Sequence, residues 1–126
     1  MKRFLIACAV AVLALPAYAA EPGKQVLLDA AVSSDDRKHA VTLMIDWPAG
    51  ASVPDHTHPG DEYAVVQEGE IEITVKGAAP YRYKAGEAYH NAKDVVHSAR
   101  AVGDKPAKTI ATLIVEKDKP LSQKVE

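Results

Sequence analysis

From residue 25 onward the chain is a series of short apolar runs punctuated by Gly, Pro, Asp and Asn. Residues 40–47 alternate apolar and polar and stop at Pro48-Ala49-Gly50. Residues 62–67 form another such run, which Glu68-Gly69 turns. Residues 70–75, EIEITV, then alternate strictly, with acids on one face and aliphatics on the other. Alternation of this kind has the two-residue period of a β-strand, whose successive side chains face opposite ways. The runs at 25–31, 81–83, 88–90, 95–102 and 108–115 extend the series, and no stretch keeps a helical period. Many short strands at regular spacing predict an all-β sandwich or barrel. Residues 116–126 are charged and hold Pro120, which predicts a mostly irregular tail. No internal repeat, linker or second domain is expected.

The first 19 residues have a different pattern. Met1-Lys2-Arg3 is basic, residues 4–15 carry no charge, Pro16 breaks the run, and Ala17-Tyr18-Ala19 has small residues at its first and third positions. An apolar run of about 12 residues is too short for a bilayer, which needs roughly 20. The segment therefore reads as a signal peptide. Leu5-Ile6-Ala7-Cys8 resembles a lipoprotein signal but comes too early to leave an apolar region before the cysteine. The expected organisation is residues 1–19 as signal and residues 20–126 as one β domain, exported to the periplasm or secreted. Cys8 is the sole cysteine and would leave with the signal, so neither a disulfide nor a thiol nucleophile is expected. Of 15 basic side chains, Lys2 and Arg3 leave too; the remaining 13 face 17 acidic ones, a net of −4. That balance argues against a nucleic-acid partner, and nothing in the pattern offers a stable membrane anchor.

The candidate chemistry lies between Gly50 and Gly69, in GASVPDHTHPGDEYAVVQEG. His56 and His58 share one face if the segment is extended, and Pro54 and Pro59 favour that conformation. Glu62 has the same parity, so all three heads converge while the backbone stays extended. Two imidazoles and a carboxylate suit a divalent transition metal. A solvated polar strand face is the other reading of the same spacing. His97, among Val95, Val96 and Ala99, is either a satisfied core residue or the fourth ligand. His39 sits in a charged stretch and reads as a surface residue.

This segment resembles the first motif of the cupin superfamily. Gly50, five residues, His56, one residue, His58, three residues, Glu62, six residues and Gly69 meet every fixed position of that motif. A second motif is degenerate. It starts at Gly86, with Ala92 where proline is usual, Asp94 where glycine is usual and Ala101 for the final asparagine; His97 falls on its histidine. The resemblance implies a jelly-roll β-barrel with one divalent ion inside, held by His56, His58, Glu62 and His97, with Gly50 and Gly69 as turn glycines of positive φ. Where the second motif loses its glycine, the turn is expected to differ.

Such a donor set suits iron, manganese, nickel, zinc or copper(II), and the lack of thiolate disfavours copper(I). The resemblance implies dioxygenase-like or Lewis-acid chemistry on a small organic substrate; a non-catalytic small-molecule or metal-binding protein uses the same residues. His90 is a candidate base or a donor to a ligand, against the plainer reading of an exposed histidine. Tyr63 and Tyr89 line the cavity or pack outside it, Trp47 is core or rim, and Asp55 and Asp61 have the wrong parity for ligands. Small cupins resemble dimers, and a domain of about 107 residues leaves sheet edges to cover. A homodimer is therefore expected, with residues 25–31 pairing across the interface.

Overall fold

A computed structural model describes residues 20–126; the expected signal segment and Cys8 lie outside the described residues. The strands are β1 (Gly23–Ala31), β2 (Lys38–Trp47), β3 (Ser52–Thr57), β4 (Gly60–Glu68), β5 (Glu70–Val75), β6 (Tyr81–Lys84), β7 (Ala88–Asn91), β8 (His97–Ala101), β9 (Ala107–Glu116) and β10 (Gln123–Lys124). Every run read as strand contains one. None of the described residues forms a helix long and apolar enough to cross a membrane.

Two antiparallel five-stranded sheets enclose the core, in the orders β1-β2-β9-β4-β7 and β10-β3-β8-β5-β6. This is the jelly-roll arrangement. Alternation decides which residues fill it. Val41, Leu43, Ile45 and Trp47 of β2 point inward, as do Ala111, Leu113 and Val115 of β9 and Ile71 and Ile73 of β5. Trp47 donates its Nε1–H to Thr109 Oγ1 (3.0 Å), so burying the indole leaves no orphan donor. On the outer side of β5, Glu72 accepts from Arg82 (2.9 Å) and Arg100 (2.8 Å), which cover the carboxylate.

The turn glycines behave as expected, with φ of 72° at Gly50 and 73° at Gly69. Gly60 is required for a different reason. A Cβ there would lie 1.9 Å from the Ile114 carbonyl oxygen, so only glycine lets β4 start this close to β9. In the degenerate second motif a turn forms without the glycine: Asp94 adopts φ 60° and donates its N–H to the His58 carbonyl (3.0 Å). Asp is among the few residues that tolerate this left-handed conformation. The strand expected at 95–102 begins two residues late because Val95 closes that turn on Ala92. The tail is mostly irregular as expected, yet Gln123 and Lys124 add a short strand to β3, opposite Thr57 and His56.

Candidate metal centre

His56 lies on β3 directly opposite His97 of β8, so one sheet contributes both. Glu62 lies on β4 in the other sheet, opposite Asn91 of β7. The extended-backbone reading of His56, His58 and Glu62 is therefore corrected in its cause. The heads do converge, but the chain crosses between the sheets at Pro59-Gly60, and the two inner faces bring the groups together. The His56 and His97 rings are 4.3 Å apart, His56 and His58 4.9 Å, and His58 and His97 5.1 Å. One ligand nitrogen from each of the three falls within 4.8 Å of the others. His58, Glu62 and His97 are buried, and His56 is half-buried at the opening.

Backbone carbonyls fix the tautomers. His56 Nδ1 lies 2.8 Å from Pro54 O, His58 Nδ1 2.7 Å from Leu121 O, and His97 Nδ1 3.0 Å from Val95 O. A carbonyl only accepts, so each Nδ1 carries the proton and each Nε2 keeps its lone pair. Histidines that ligate metals are oriented in the same way. His58 Nε2 is buried with no hydrogen-bond partner. Glu62 Oε2 stands 3.5 Å from His58 Nε2 and 3.6 Å from His97 Nε2. These separations are long for hydrogen bonds. They are close to the roughly 3.0–3.4 Å between two ligands that each lie about 2.1 Å from one ion. The three histidines therefore form a group that could hold a divalent metal, with the Glu62 carboxylate beside two of them.

Electrostatics agree with that donor set. Burial pushes the Glu62 carboxyl up, but the adjacent His58 and His97 rings and the Asn91 amide outweigh it and hold the group well below the usual carboxylate range. Burial, reinforced by His97 and His58, pushes His56 down to about 4, against the opposing pull of the Pro54 carbonyl. Burial also lowers His97, but Glu62 and the Val95 carbonyl overcome it and the net shift is upward. The site thus offers an ionised carboxylate at neutral pH.

The ligands line a cavity of about 70 Å³ whose remaining wall is largely apolar, with Leu43, Ile45, Trp47, Ile73, Tyr89 and Leu113. At about 15 Å³ for one water, this is room for a few small groups. Pro22, Lys24, Val53, His56 and Ser122 are shared with an outer vestibule of about 420 Å³. Trp47 and Tyr89 are thus core residues that also face the cavity.

His90 is not in this cavity. On β7 the buried Tyr89 and Asn91 alternate with it, which puts His90 on the outer face. There its Nε2 lies 2.9 Å from Asp61 Oδ1 and its ring stacks on exposed Tyr63 at 4.8 Å. The candidate base is thereby corrected to a surface residue, and Asp61 is outside the ligand set as its parity implied. His39, at the start of β2, is half-buried and lies 2.8 Å from Asp29, apart from the cavity.

Two contributors escaped sequence reasoning. Asn91, 2% exposed, donates Nδ2–H to Glu62 Oε2 at 2.7 Å, and its Oδ1 is buried without a partner. Its alternation with His90 was the available signal. The Leu121 carbonyl, from the tail, has no side-chain signature at all.

A family model for the cupin domain matches residues 43–113. No functionally curated protein is significantly similar in sequence. Among solved structures, the chain is similar to an uncharacterised conserved protein with a double-stranded β-helix domain from Klebsiella pneumoniae. The identity is 19%, the TM-score 0.67, and 94% of this chain and 99% of that one are covered. It is also similar to the DMSP lyase DddQ of Ruegeria pomeroyi (19% identity, TM-score 0.68, 83% of this chain and 52% of that one). The oxalate decarboxylase of Lactobacillus farciminis matches at 15% identity and TM-score 0.59, over 68% of this chain and 26% of that one. At these identities the likeness concerns the fold.

Proposed function

The chain belongs to the cupin family, and from that footing we propose that it is an exported, metal-dependent enzyme acting on a small organic molecule. The proposed chemistry is dioxygenase-like or Lewis-acid, with one divalent ion held by His56, His58, Glu62 and His97. One observation carries this reading. Three imidazoles spend their Nδ1–H on backbone carbonyls, so three Nε2 lone pairs meet one buried carboxylate in a cavity that opens to solvent. When bound, the ion supplies polarisation of a substrate oxygen or acidification of water. The chain's own residues do the rest. Glu62 offsets one unit of positive charge, Asn91 holds the carboxylate, and Leu43, Ile73 and Leu113 shape the space for a carbon skeleton and limit water. A lyase and a decarboxylase among the structural neighbours are precedents for small substrates in such a barrel.

The test begins with metal. Protein purified without an affinity tag should hold one divalent ion per chain, and His56→Ala should lose it; equal metal content in the two overturns the site. Copper or zinc found there does not identify the native ion, because both bind such sites tightly whatever the native metal. Glu62→Gln keeps the shape and removes the charge, so chelator competition should show metal binding weakened by a few kcal/mol. Unchanged affinity would leave the three histidines as the whole site. Metal-loaded protein is then screened for oxygen uptake and product formation with small phenolics, dicarbonyls and carboxylic acids. Tight binding without turnover across that set would replace the enzyme by a non-catalytic binding protein.

A further inference from the structure

The cavity opens toward solvent between an edge strand of each sheet, β1 of one and β10 of the other. Register sets what stands there. Lys24 of β1 pairs with Ile45 of β2, whose side chain is buried and lines the cavity. Residues directly opposite each other in an antiparallel ladder project to the same side, so Lys24 faces inward. Lys124 of β10 pairs with His56 of β3, and by the same rule it stands beside that imidazole on the inner side. Lys24 lines both the inner cavity and the vestibule, and Lys124 lines the vestibule. Two amines from opposite sheets therefore flank the passage that leads to the histidines. Glu21 is the acid on the vestibule wall, and two ammonium groups against one carboxylate leave an excess of positive charge. Among the described residues neither Lys24 nor Lys124 forms an ion pair, whereas Lys93, Lys108 and Lys119 do. An inward lysine on an edge strand also discourages edge-to-edge pairing. That role requires no cavity beneath the amine, and it does not bring two amines to one opening.

We propose that this passage selects a small organic monocarboxylate, with Lys24 as the principal contact for the carboxylate and Lys124 as the second. Placing the other end of that anion at the metal rests on the function proposed above; the capture of its charge rests on the lysines alone. The surroundings narrow the class. The inner cavity of about 70 Å³ has an apolar wall, with Leu43, Ile45, Ile73 and Leu113, which suits a short carbon skeleton and no second charge. Bidentate recognition of phosphate uses arginine forks or clustered backbone N–H groups. Here the donors are two point charges, and no arginine lines either space. A cationic entrance raises the local concentration of an anion. With the amines at the passage and the apolar wall behind them, the carbon skeleton goes inward and the carboxylate stays at the mouth.

Binding to the full chain, followed by NMR titration, tests this with matched probes: butyrate against butyramide and pyruvate against pyruvamide, on zinc-loaded and metal-free protein. In both forms the wild type should bind each acid more tightly than its amide. Lys24→Gln should weaken binding of the acids about tenfold, the scale of one hydrogen bond to a charged group, and leave the amides unchanged. Lys24→Arg should keep the preference, and Lys124→Gln should reduce it less than Lys24→Gln. Lys105→Gln, which removes a charge from an exposed turn lining neither space, should have no effect. Acid and amide bound alike by the wild type overturn the proposal, as does a preference that survives Lys24→Gln in metal-free protein. So does the absence of acid binding at about 10 mM, weaker than a fitted site gives ligands of about six non-hydrogen atoms. Metal content, measured on the same samples, makes the two readings fail separately. Protein that holds no ion but keeps a Lys24-dependent preference supports the anion site and removes the metal centre. Protein that holds its ion while acid and amide bind alike does the reverse.

Discussion

Replacing Asn91 by leucine separates the stability of the barrel from the construction of its site. Leucine keeps the branching at Cγ and removes both polar atoms, and the adjoining cavity can take the added bulk. Two effects on the metal-free fold oppose each other. Glu62 loses a buried, charge-assisted hydrogen bond of 2.7 Å, which costs about 1.5–3 kcal/mol. The unpaired Asn91 Oδ1 disappears from the interior, and its burial cost of about 1–3 kcal/mol is recovered. The net change is then within about 2 kcal/mol, a shift of up to roughly 10 °C in melting temperature for a domain of this size. Metal binding has no such compensation. Glu62 remains ionised, since His58 and His97 still face it, but nothing fixes which oxygen points at the imidazoles. Loss of such an orienting partner weakens metal affinity by about 10–100-fold, or roughly 1.4–2.7 kcal/mol. Thermal denaturation of the metal-free protein and chelator competition on wild type and Asn91→Leu measure the two quantities separately. Unchanged metal affinity would show that Asn91 does not orient the ligand. Destabilisation well above 3 kcal/mol would show that Oδ1 is satisfied in solution, by water or by a donor.

Asp94 holds φ 60°, so Asp94→Gly should be neutral or stabilise by up to about 1 kcal/mol: relief of the left-handed strain is partly offset by glycine's larger unfolded-state entropy. Asp94→Val should destabilise by about 1–2 kcal/mol, and chemical denaturation showing the reverse order would contradict the assigned turn. The Glu116 carboxyl is held down to about 2 by Lys119 and Lys93. A depressed carboxyl contributes stability above its unfolded pKa, and that contribution fades as pH falls from about 4.5 through 2. Wild type should therefore exceed Glu116→Gln in stability at pH 7 and converge with it near pH 2. A gap of constant size in urea titrations at both values would rule out the ion pairs as its source.

The strands were legible because alternation is a local property: a residue's neighbours at i±2 share its side whatever the rest of the chain does. That rule placed β2, β5 and β9 and gave His56 and His58 a common segment. The turn glycines 50 and 69 were legible for a similar reason, since positive φ is a demand on one residue. Parity, however, does not say which side becomes the inside. On β7 it separated His90 from Tyr89 and Asn91, but only the pairing of Glu62 with Asn91, 29 residues apart, turned Asn91 inward and left His90 in solvent. His58 takes its orientation from the carbonyl of Leu121, 63 residues away, in a tail whose sequence reads as irregular. Glu62 meets the histidines across the gap between two sheets rather than along one strand. The sequence by itself determined the strands, their turns and the donor types; the register of distant strands decided which donors meet, because hydrogen bonds and ligand contacts act over about 3 Å and local pattern carries no distance between residues far apart in the chain.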